Sequence, residues 1–461
     1  MPVEHSLFQF LAKALQIHHR FLAGRLSRAE APIYVIGNPS ADLDSIISAI
    51  VYASFAHPRP HVPLINLPSV TAGPELRRLR PEFVKSLWLS THPPAQDDQT
   101  WADTPESAGP LLHDHLLTVA DFISHLEHLP DSPDTPISAD AVLVDWNALP
   151  IRSPDHLRGQ GSLPSLPSIT FTVLGCIDHH VNENFLGPIT DPEQPFLLQP
   201  SGSCASLVVN MLDKMDRWRR TTVPTPPEHQ LAKLAMCPIL IDTSNFTAKE
   251  KVTDSDTLAY SFLRSKISSL PHGNTEKPWD HNSFYEEINT AKRNSLDLLT
   301  VEEVLDRDYK QWMESPGSNS QEEKVEIGIC SMVRSLPWVV RKAETAEAFL
   351  YALEEFAKKK ELQVIMVMTA FTTGSDGRFC RELLVYAREG TGVRGVEAFV
   401  QRAGAELGLE EWKVLDGEEG GELGDAEGED KTMRKWIWVQ GDVTKSRKQV
   451  APLIREAVGS L

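Results

Sequence analysis

The sequence predicts an α/β protein of two domains: a doubly wound, mainly parallel sheet over residues 1–295 and a smaller α/β domain over residues 296–461. Three observations predict it. A chain of 461 residues is longer than one ordinary hydrophobic core serves, and its 41% hydrophobic content is enough for two. From Tyr34 to about Asp145 apolar strands alternate with a helical stretch, the order of a sheet wrapped by helices. Beyond residue 320 that alternation restarts.

Taken in chain order, Leu7, Phe10, Leu11, Leu15, Phe21 and Leu22 recur at helical spacing, with Lys13, Arg20 and Arg25 at the polar positions. This reads as a packed helix. A mitochondrial presequence is also basic and amphipathic, but Glu4 and the scarcity of serine argue against one, and no secretory signal is present, so a cytoplasmic location is expected. Tyr34-Val35-Ile36 reads as a buried strand, 46–55 as the helix after it, and 141–144 and 172–177 as further strands. Segments 91–110, 130–138, 153–168 and 267–282 are rich in Pro, Ser, Asp and Gly and read as surface loops or insertions. Helical signal runs from Phe284 to Trp312 and stops at the Ser-Pro-Gly-Ser-Asn-Ser stretch of 315–320, which puts the linker near residue 295. Then 325–333 reads as a strand, 344–360 as a helix, 363–370 and 381–387 as strands, and 396–407 as a helix. The Glu- and Gly-rich 416–430 stretch reads as a solvated loop.

Composition narrows the function classes. No run of eighteen or more apolar residues occurs, so no transmembrane helix is expected. Cys176, Cys204, Cys237, Cys330 and Cys380 are odd in number, widely spaced and form no CxxC pair, which suggests neither a disulfide framework nor a zinc ribbon. The formal net charge of −19 opposes long-range attraction of nucleic acid. An anionic substrate would need metal ions and local basic residues to hold it.

Four short motifs carry chemistry. Gly37-Asn38-Pro39-Ser40-Ala41-Asp42-Leu43-Asp44-Ser45 stands between the first strand and its helix, where open α/β sheets bind ligands. Asp42 and Asp44 supply hard oxygen donors for cations, while Asp44 or Ser45 read as a helix N-cap accounts for the motif equally well. Val144-Asp145-Trp146-Asn147 puts an aspartate at the carboxyl end of an apolar strand, a place where a turn residue is also common. Ile177-Asp178-His179-His180 follows another buried strand; imidazole suits divalent transition metals, and Asp178 can fix a histidine tautomer. Ile241-Asp242-Thr243-Ser244-Asn245-Phe246 follows the apolar stretch 231–240. Capping accounts for the later acids, Asp254 and Asp256, and leaves Asp242 as a donor.

Together, the order GNPSADLDS, VDWN, IDHH and IDTSNF resembles the signature motifs of the DHH phosphoesterase superfamily and covers most of residues 30–260. Gly202-Ser203-Cys204-Ala205-Ser206 resembles the small-residue loop that opens a helix in that family. Ser446-Arg447-Lys448-Gln449-Val450-Ala451-Pro452 resembles the serine-arginine-lysine segment of the pyrophosphatase and exopolyphosphatase branch, and Lys310 its other phosphate-binding lysine. Family II pyrophosphatases carry histidine where this chain has Asn38, whereas asparagine there is similar to exopolyphosphatases and prune proteins. The prune branch commonly alters the third motif, and His180 is intact here. The pattern therefore resembles the fungal-type cytosolic exopolyphosphatases.

The resemblance implies two divalent cations, Mg2+, Mn2+ or Co2+, with Asp145 bridging them, Asp42 and Asn38 near one, and Asp44, His179 and Asp242 on the other. Such a pair acidifies a bridging water, polarises phosphoryl oxygens and fixes in-line attack. His180 would hydrogen-bond the phosphoryl oxygens, with Asp178 as its catalytic neighbour. The neutral oxygen of Asn38 in place of imidazole favours magnesium. Lys310, Arg381, Arg447 and Lys448 would bind the phosphates beyond the scissile bond, making a cleft between the domains the active site. The implied function is an exopolyphosphatase that releases orthophosphate from linear polyphosphate, acting as a monomer, with no membrane or long nucleic acid as partner. A prune-like cyclic-nucleotide phosphodiesterase, a hydrolase of pyrophosphate or short polyphosphates, and a scaffold with the same fold stand as alternatives.

Overall fold

Ile33-Tyr34-Val35-Ile36 has no polar face, and it folds as a strand buried on both sides. Apolar runs of this kind suit parallel sheets covered by helices above and below. The structure, a computed structural model, describes residues 6–92, 101–129, 137–153, 158–187, 194–219, 223–268, 279–317, 324–373, 377–414 and 423–461. Glu4 and parts of the loop stretches named above (93–100, 130–136, 154–157, 269–278, 318–320 and 416–422) lie outside the described residues.

Contacts divide the chain into two compact units, Met1–Ser295 and Leu296–Leu461. The first holds β1 (Ile33–Ile36), β2 (His61–Leu64), β3 (Ile137–Val144), β4 (Ile151–Arg152), β5 (Gln160–Leu163), β6 (Leu166–Asp178) and β7 (Phe196–Leu198). Their order is β2-β1-β3-β6-β5-β4, with β7 also on β6. β1, β2, β3, β6 and β7 pair in parallel, whereas β5 is antiparallel to both β4 and β6.

Alternate residues of β1 serve two helix layers, as the two-residue period of a strand requires. Ile33 and Val35 join the core built with helices Leu43–Phe55, Cys204–Lys214 and Pro226–Asp242. Tyr34 and Ile36 join the one built with helices Leu7–Leu22 and Val119–Glu127. The chain leaves β1 for β2 on one side and returns to β3 on the other. Connections therefore diverge between β1 and β3, and the carboxyl ends of these strands frame a crevice. Asn38 and Asp145 follow them directly.

The second unit holds a sheet of β8 (Tyr309–Glu314), β9 (Val325–Met332), β10 (Val364–Thr369), β13 (Glu382–Arg388), β14 (Leu409–Glu411) and β15 (Met433–Gln440), plus a small hairpin of β11 (Phe371–Thr372) and β12 (Phe379–Cys380). The sheet order is β14-β15-β13-β10-β9-β8. β9 and β10 are parallel, joined through helix Ala346–Lys359, and the other pairings are antiparallel. Helices Thr391–Leu407 and Arg447–Gly459 cover one face through Val396, Phe399, Val450 and Ile454.

Several local expectations are corrected. Tyr309–Glu314 is a strand paired with β9, not the end of a helix. Helix ends at Arg307, and side chains beyond it alternate in exposure as a half-buried strand demands. Residues 105–110 of the expected 91–110 loop belong to helix Pro105–His115, because Pro105 stands at the first helical position behind the Thr104 cap, where proline is tolerated. Residues 160–168 are hairpin rather than loop: Pro164-Ser165 turns β5 into β6, with Leu163 opposite Leu166. Ile137 and Ser138 already belong to β3. The cap of helix Leu43–Phe55 is Asp42, whose Oδ1 accepts from Ser45 N at 3.0 Å, not Asp44 or Ser45.

Gly37 links β1 to the motif that follows, and a Cβ placed on it would stand 2.9 Å from both Cβ and Oγ of Ser45. Gly37→Ala must therefore push the helix start away from the strand end. Overpacking of this kind costs about 1–3 kcal/mol. A lowered melting temperature of the intact chain, followed by circular dichroism, is the expected result.

Candidate functional site

Asp145 leaves β3 in a left-handed backbone conformation, φ 54°, rare for a residue with a side chain. Its N–H donates to Ile177 O at 3.0 Å and to Cys204 Sγ at 3.2 Å, which holds the turn against β6. The carboxylate is buried. Its Oδ2 accepts from Asn38 Nδ2 at 2.7 Å and Ser45 Oγ at 2.9 Å, and its Oδ1 lies 3.1 Å from His179 Nε2 and 3.5 Å from His180 Nδ1.

Asp178, the last residue of β6, sets the two histidines. Its Oδ1 accepts from the backbone N–H groups of His179 and His180 and from His180 Nδ1 at 2.8 Å, while Asn147 Nδ2 donates to Oδ2 at 2.5 Å. Burial alone would raise Asp178, but the hydrogen bond and charge of His180, with help from Asn147, hold its carboxyl at about 2. An ionised carboxylate only accepts, so His180 carries its proton on Nδ1. By the same rule His179 Nδ1, 3.0 Å from Ser201 O, donates to that carbonyl. In a neutral ring this leaves the Nε2 lone pair aimed at Asp145 Oδ1. Two electron-rich atoms at 3.1 Å need a proton or a cation between them, and that separation is close to the roughly 3 Å between neighbouring ligands that each stand about 2.1 Å from one ion.

One potential ligand atom from each of Asp145, Asp178, His179 and His180 falls within 4.8 Å of the others. Carboxylate with imidazole is a donor set for divalent cations. The remaining first-unit residues singled out from sequence are held in different ways. Asn38 is buried, accepting from Ser40 N at 2.8 Å through Oδ1 while its amide nitrogen donates to Asp145. Asp42 caps its helix. Asp44 has both oxygens engaged at the start of helix Cys204–Lys214, by Ser203 Oγ at 2.9 Å, Cys204 N at 2.6 Å and Ala205 N at 2.9 Å. Burial and the charge of Asp145 push its carboxyl up to about 6, a sign of crowded negative charge. Asp242 ends helix Pro226–Asp242, and the following Ser244, Asn245 and Phe246 all take positive φ.

In the second unit the basic residues gather near the start of helix Arg447–Gly459. Arg447 donates to Asp308 twice, Nη1 to the carbonyl at 2.6 Å and Nη2 to Oδ1 at 2.7 Å, so it is tied two residues from Lys310. Arg381 is buried and its Nε donates to Val443 O at 2.7 Å, in the loop that leads to that helix. Lys448 is exposed.

Sequence reasoning passed over Ser45, Asn147, Ser203 and Cys204 as site residues, and took Asp256 for a cap alone. Asp256 does accept from Thr253 N and Oγ1, both at 2.8 Å, but it also accepts from Ser201 Oγ, Gly202 N, Ser203 N and Ser206 Oγ. The signal available was the cluster of small residues at 201–206, whose backbone amides need an acceptor when they are buried. Asp256→Ala would leave these donors buried without a carboxylate, a loss of roughly 3 kcal/mol. A melting temperature lowered by several degrees is expected, with Asp256→Asn intermediate.

Two family models match the chain: "DHH family, N-terminal domain" over residues 32–239 and "DHHA2 domain" over residues 286–457. A Schizosaccharomyces pombe protein named "Putative exopolyphosphatase" is 25% identical over 445 residues, spanning 95% of this chain and 93% of that protein. A solved structure, described as that of a Methanococcus jannaschii "putative family II inorganic pyrophosphatase", is similar over 92% of this chain and 99% of its own, at 19% identity and a TM-score of 0.46. With one model spanning β1, β3 and β6 and their aspartate-histidine cluster, and the other spanning the second sheet, the chain belongs to the DHH superfamily.

Proposed function

We propose that this chain is a metal-dependent exopolyphosphatase that hydrolyses the terminal phosphoanhydride bond of linear polyphosphate and releases orthophosphate. The observation that carries the reading is the buried Asp145 carboxylate 3.1 Å from His179 Nε2, beside Asp178 and His180. Membership of the DHH superfamily and the similarity to the S. pombe protein named for this activity support it.

Asp145 and His179 are the residues best placed to hold a divalent cation, and buried Asp44 beside Asp145 adds to the negative charge such a cation would meet. Bound Mg2+, Mn2+ or Co2+ would supply Lewis acidity toward water and phosphoryl oxygen. The chain's own residues do the rest. Asn38 and Ser45 hold one oxygen of Asp145, which leaves the other directed at the histidines. Asp178, braced by Asn147, keeps the His180 proton on Nδ1 and stabilises the ring when it is fully protonated. About a quarter of the His180 side chain is exposed, and in the fully protonated ring Nε2–H would donate to a phosphoryl oxygen as charge builds there. Lys310, Arg381, Arg447 and Lys448 bind the more distal phosphates in this reading, with the catalytic work assigned to residues 1–295 and substrate holding to 296–461.

Phosphate release from pyrophosphate, tripolyphosphate, long polyphosphate and a cyclic nucleotide, each with magnesium, manganese or cobalt, tests the assignment. Polyphosphate is expected to be the preferred substrate, and preference for the cyclic nucleotide would overturn the reading. Asp145→Asn should lower kcat by roughly a hundredfold or more at saturating metal, because a neutral amide cannot balance a cation. Retention of a tenth of the activity would remove Asp145 from the centre.

The second-unit cations call for separate treatment. Arg447 is braced against Asp308, so Arg447→Gln is expected to cost stability as well as substrate binding. Lys448→Gln changes an exposed charge at the same helix start. A charge-assisted hydrogen bond is worth roughly 1.5–3 kcal/mol, so its KM for tripolyphosphate should rise about tenfold, with metal affinity unchanged. Added salt should raise the wild-type KM in the same direction. Wild-type constants for Lys448→Gln across salt concentrations would return it to the ordinary surface.

A further inference from the structure

A second group of metal-ligating side chains lies in the first unit, on the sheet face opposite helix Leu43–Phe55. His18 and His19 come from helix Leu7–Leu22 and His125 from helix Val119–Glu127, and one ring nitrogen from each falls within 4.8 Å of the others. None of the three belongs to the Asp145 cluster. We propose that His18, His19 and His125 bind one late first-row divalent cation of the zinc class, which pins the N-terminal helix to helix Val119–Glu127.

The geometry is that of a partly formed site. His18 Nε2 and His125 Nδ1 stand 3.2 Å apart, and two nitrogens each about 2.0–2.1 Å from a tetrahedral zinc ion are roughly 3.3 Å apart. His18 Nδ1 lies 2.9 Å from Tyr34 Oη. Tyr34 is buried in β1, and burial raises its hydroxyl well above the ordinary range, so it stays a neutral phenol whose oxygen can accept a hydrogen bond from Nδ1–H in one of the two His18 tautomers. In that tautomer the Nε2 lone pair of His18 faces His125, the orienting role that hydrogen-bond partners play for metal-bound histidines. Phe122 packs on the His18 ring at 4.6 Å and limits its rotation.

Access and charge agree with this assignment. His18 is fully buried, His125 half-buried and His19 exposed, so the group opens to solvent on the His19 side. The His19 and His125 rings are 4.5 Å apart, and His19 is the ring with freedom to close on an ion. Burial, followed by repulsion from His125 and His19 for His18 and from His19 for His125, lowers all three imidazoles, which favours the neutral rings that bind metal. Asp121, one turn before His125, adds negative charge that favours a cation.

The competing account is a neutral hydrogen-bonded cluster that only fills the core. Zinc binding to the intact chain, measured by equilibrium dialysis in excess Mg2+, separates the two, with Co2+ absorption as the spectroscopic readout. Wild type should hold one more Zn2+ per chain than His19→Ala or His125→Gln, or bind that ion at least about tenfold more tightly. Asp145→Asn should retain this ion, and His19→Ala should keep wild-type polyphosphate hydrolysis at saturating Mg2+. His19 is exposed, so its replacement leaves folding intact, and equal thermal midpoints without zinc check this. Equal zinc stoichiometry and affinity in wild type and both variants would overturn the proposal, as would loss of all zinc binding in Asp145→Asn.

Discussion

The contact that organises the first unit is the buried carboxylate of Asp145. A left-handed turn at the end of β3 aims it back across the crevice between β1 and β3. One oxygen ties the loop after β1 through Asn38 and Ser45, and the other faces the histidines after β6. Three strand ends are thereby joined by one side chain. Chain connections diverge there, the position at which open α/β sheets bind ligands, and polar groups converge on it.

Around Asp145 the structure places further buried acids, each matched to a separate set of donors. Asp178 takes backbone amides and the His180 ring; Asp44 takes the first amides of helix Cys204–Lys214; Asp256 takes the loop just before that helix. Helix N-termini carry partial positive charge, which helps keep buried carboxylates ionised. Asp44 is the exception, held near 6 by its burial and its closeness to Asp145. A centre with this surplus of negative charge suits cations, whereas the second unit gathers guanidinium and ammonium groups near one helix start.

Motifs were legible because chemistry-bearing residues sit beside strands made of recognisable apolar runs. Val142, Leu143 and Val144 precede Asp145, and Cys176 and Ile177 precede Asp178, so short stretches marked the strand ends without tertiary information. Boundaries were less legible where proline acts differently by position. Pro105 starts a helix and Pro164 makes a hairpin turn, yet both read as loop by composition. Tyr309–Glu314 became a strand because β9 offers it a partner, which local periodicity does not contain.

By itself the sequence determined the α/β class, the alternation of strands and helices, and which short motifs end buried strands, since apolar runs and periodicity are local properties of the chain. Tertiary structure decided what each acid does. Asp42, Asp44, Asp178 and Asp256 are chemically alike in sequence, but one caps its own helix, one caps a helix 160 residues away, one orients a histidine and one holds a loop. It also brought His125 beside His18 across 107 positions. A carboxylate or an imidazole takes its role from the donors, charges and burial around it, and those are set by packing between segments that no local pattern connects.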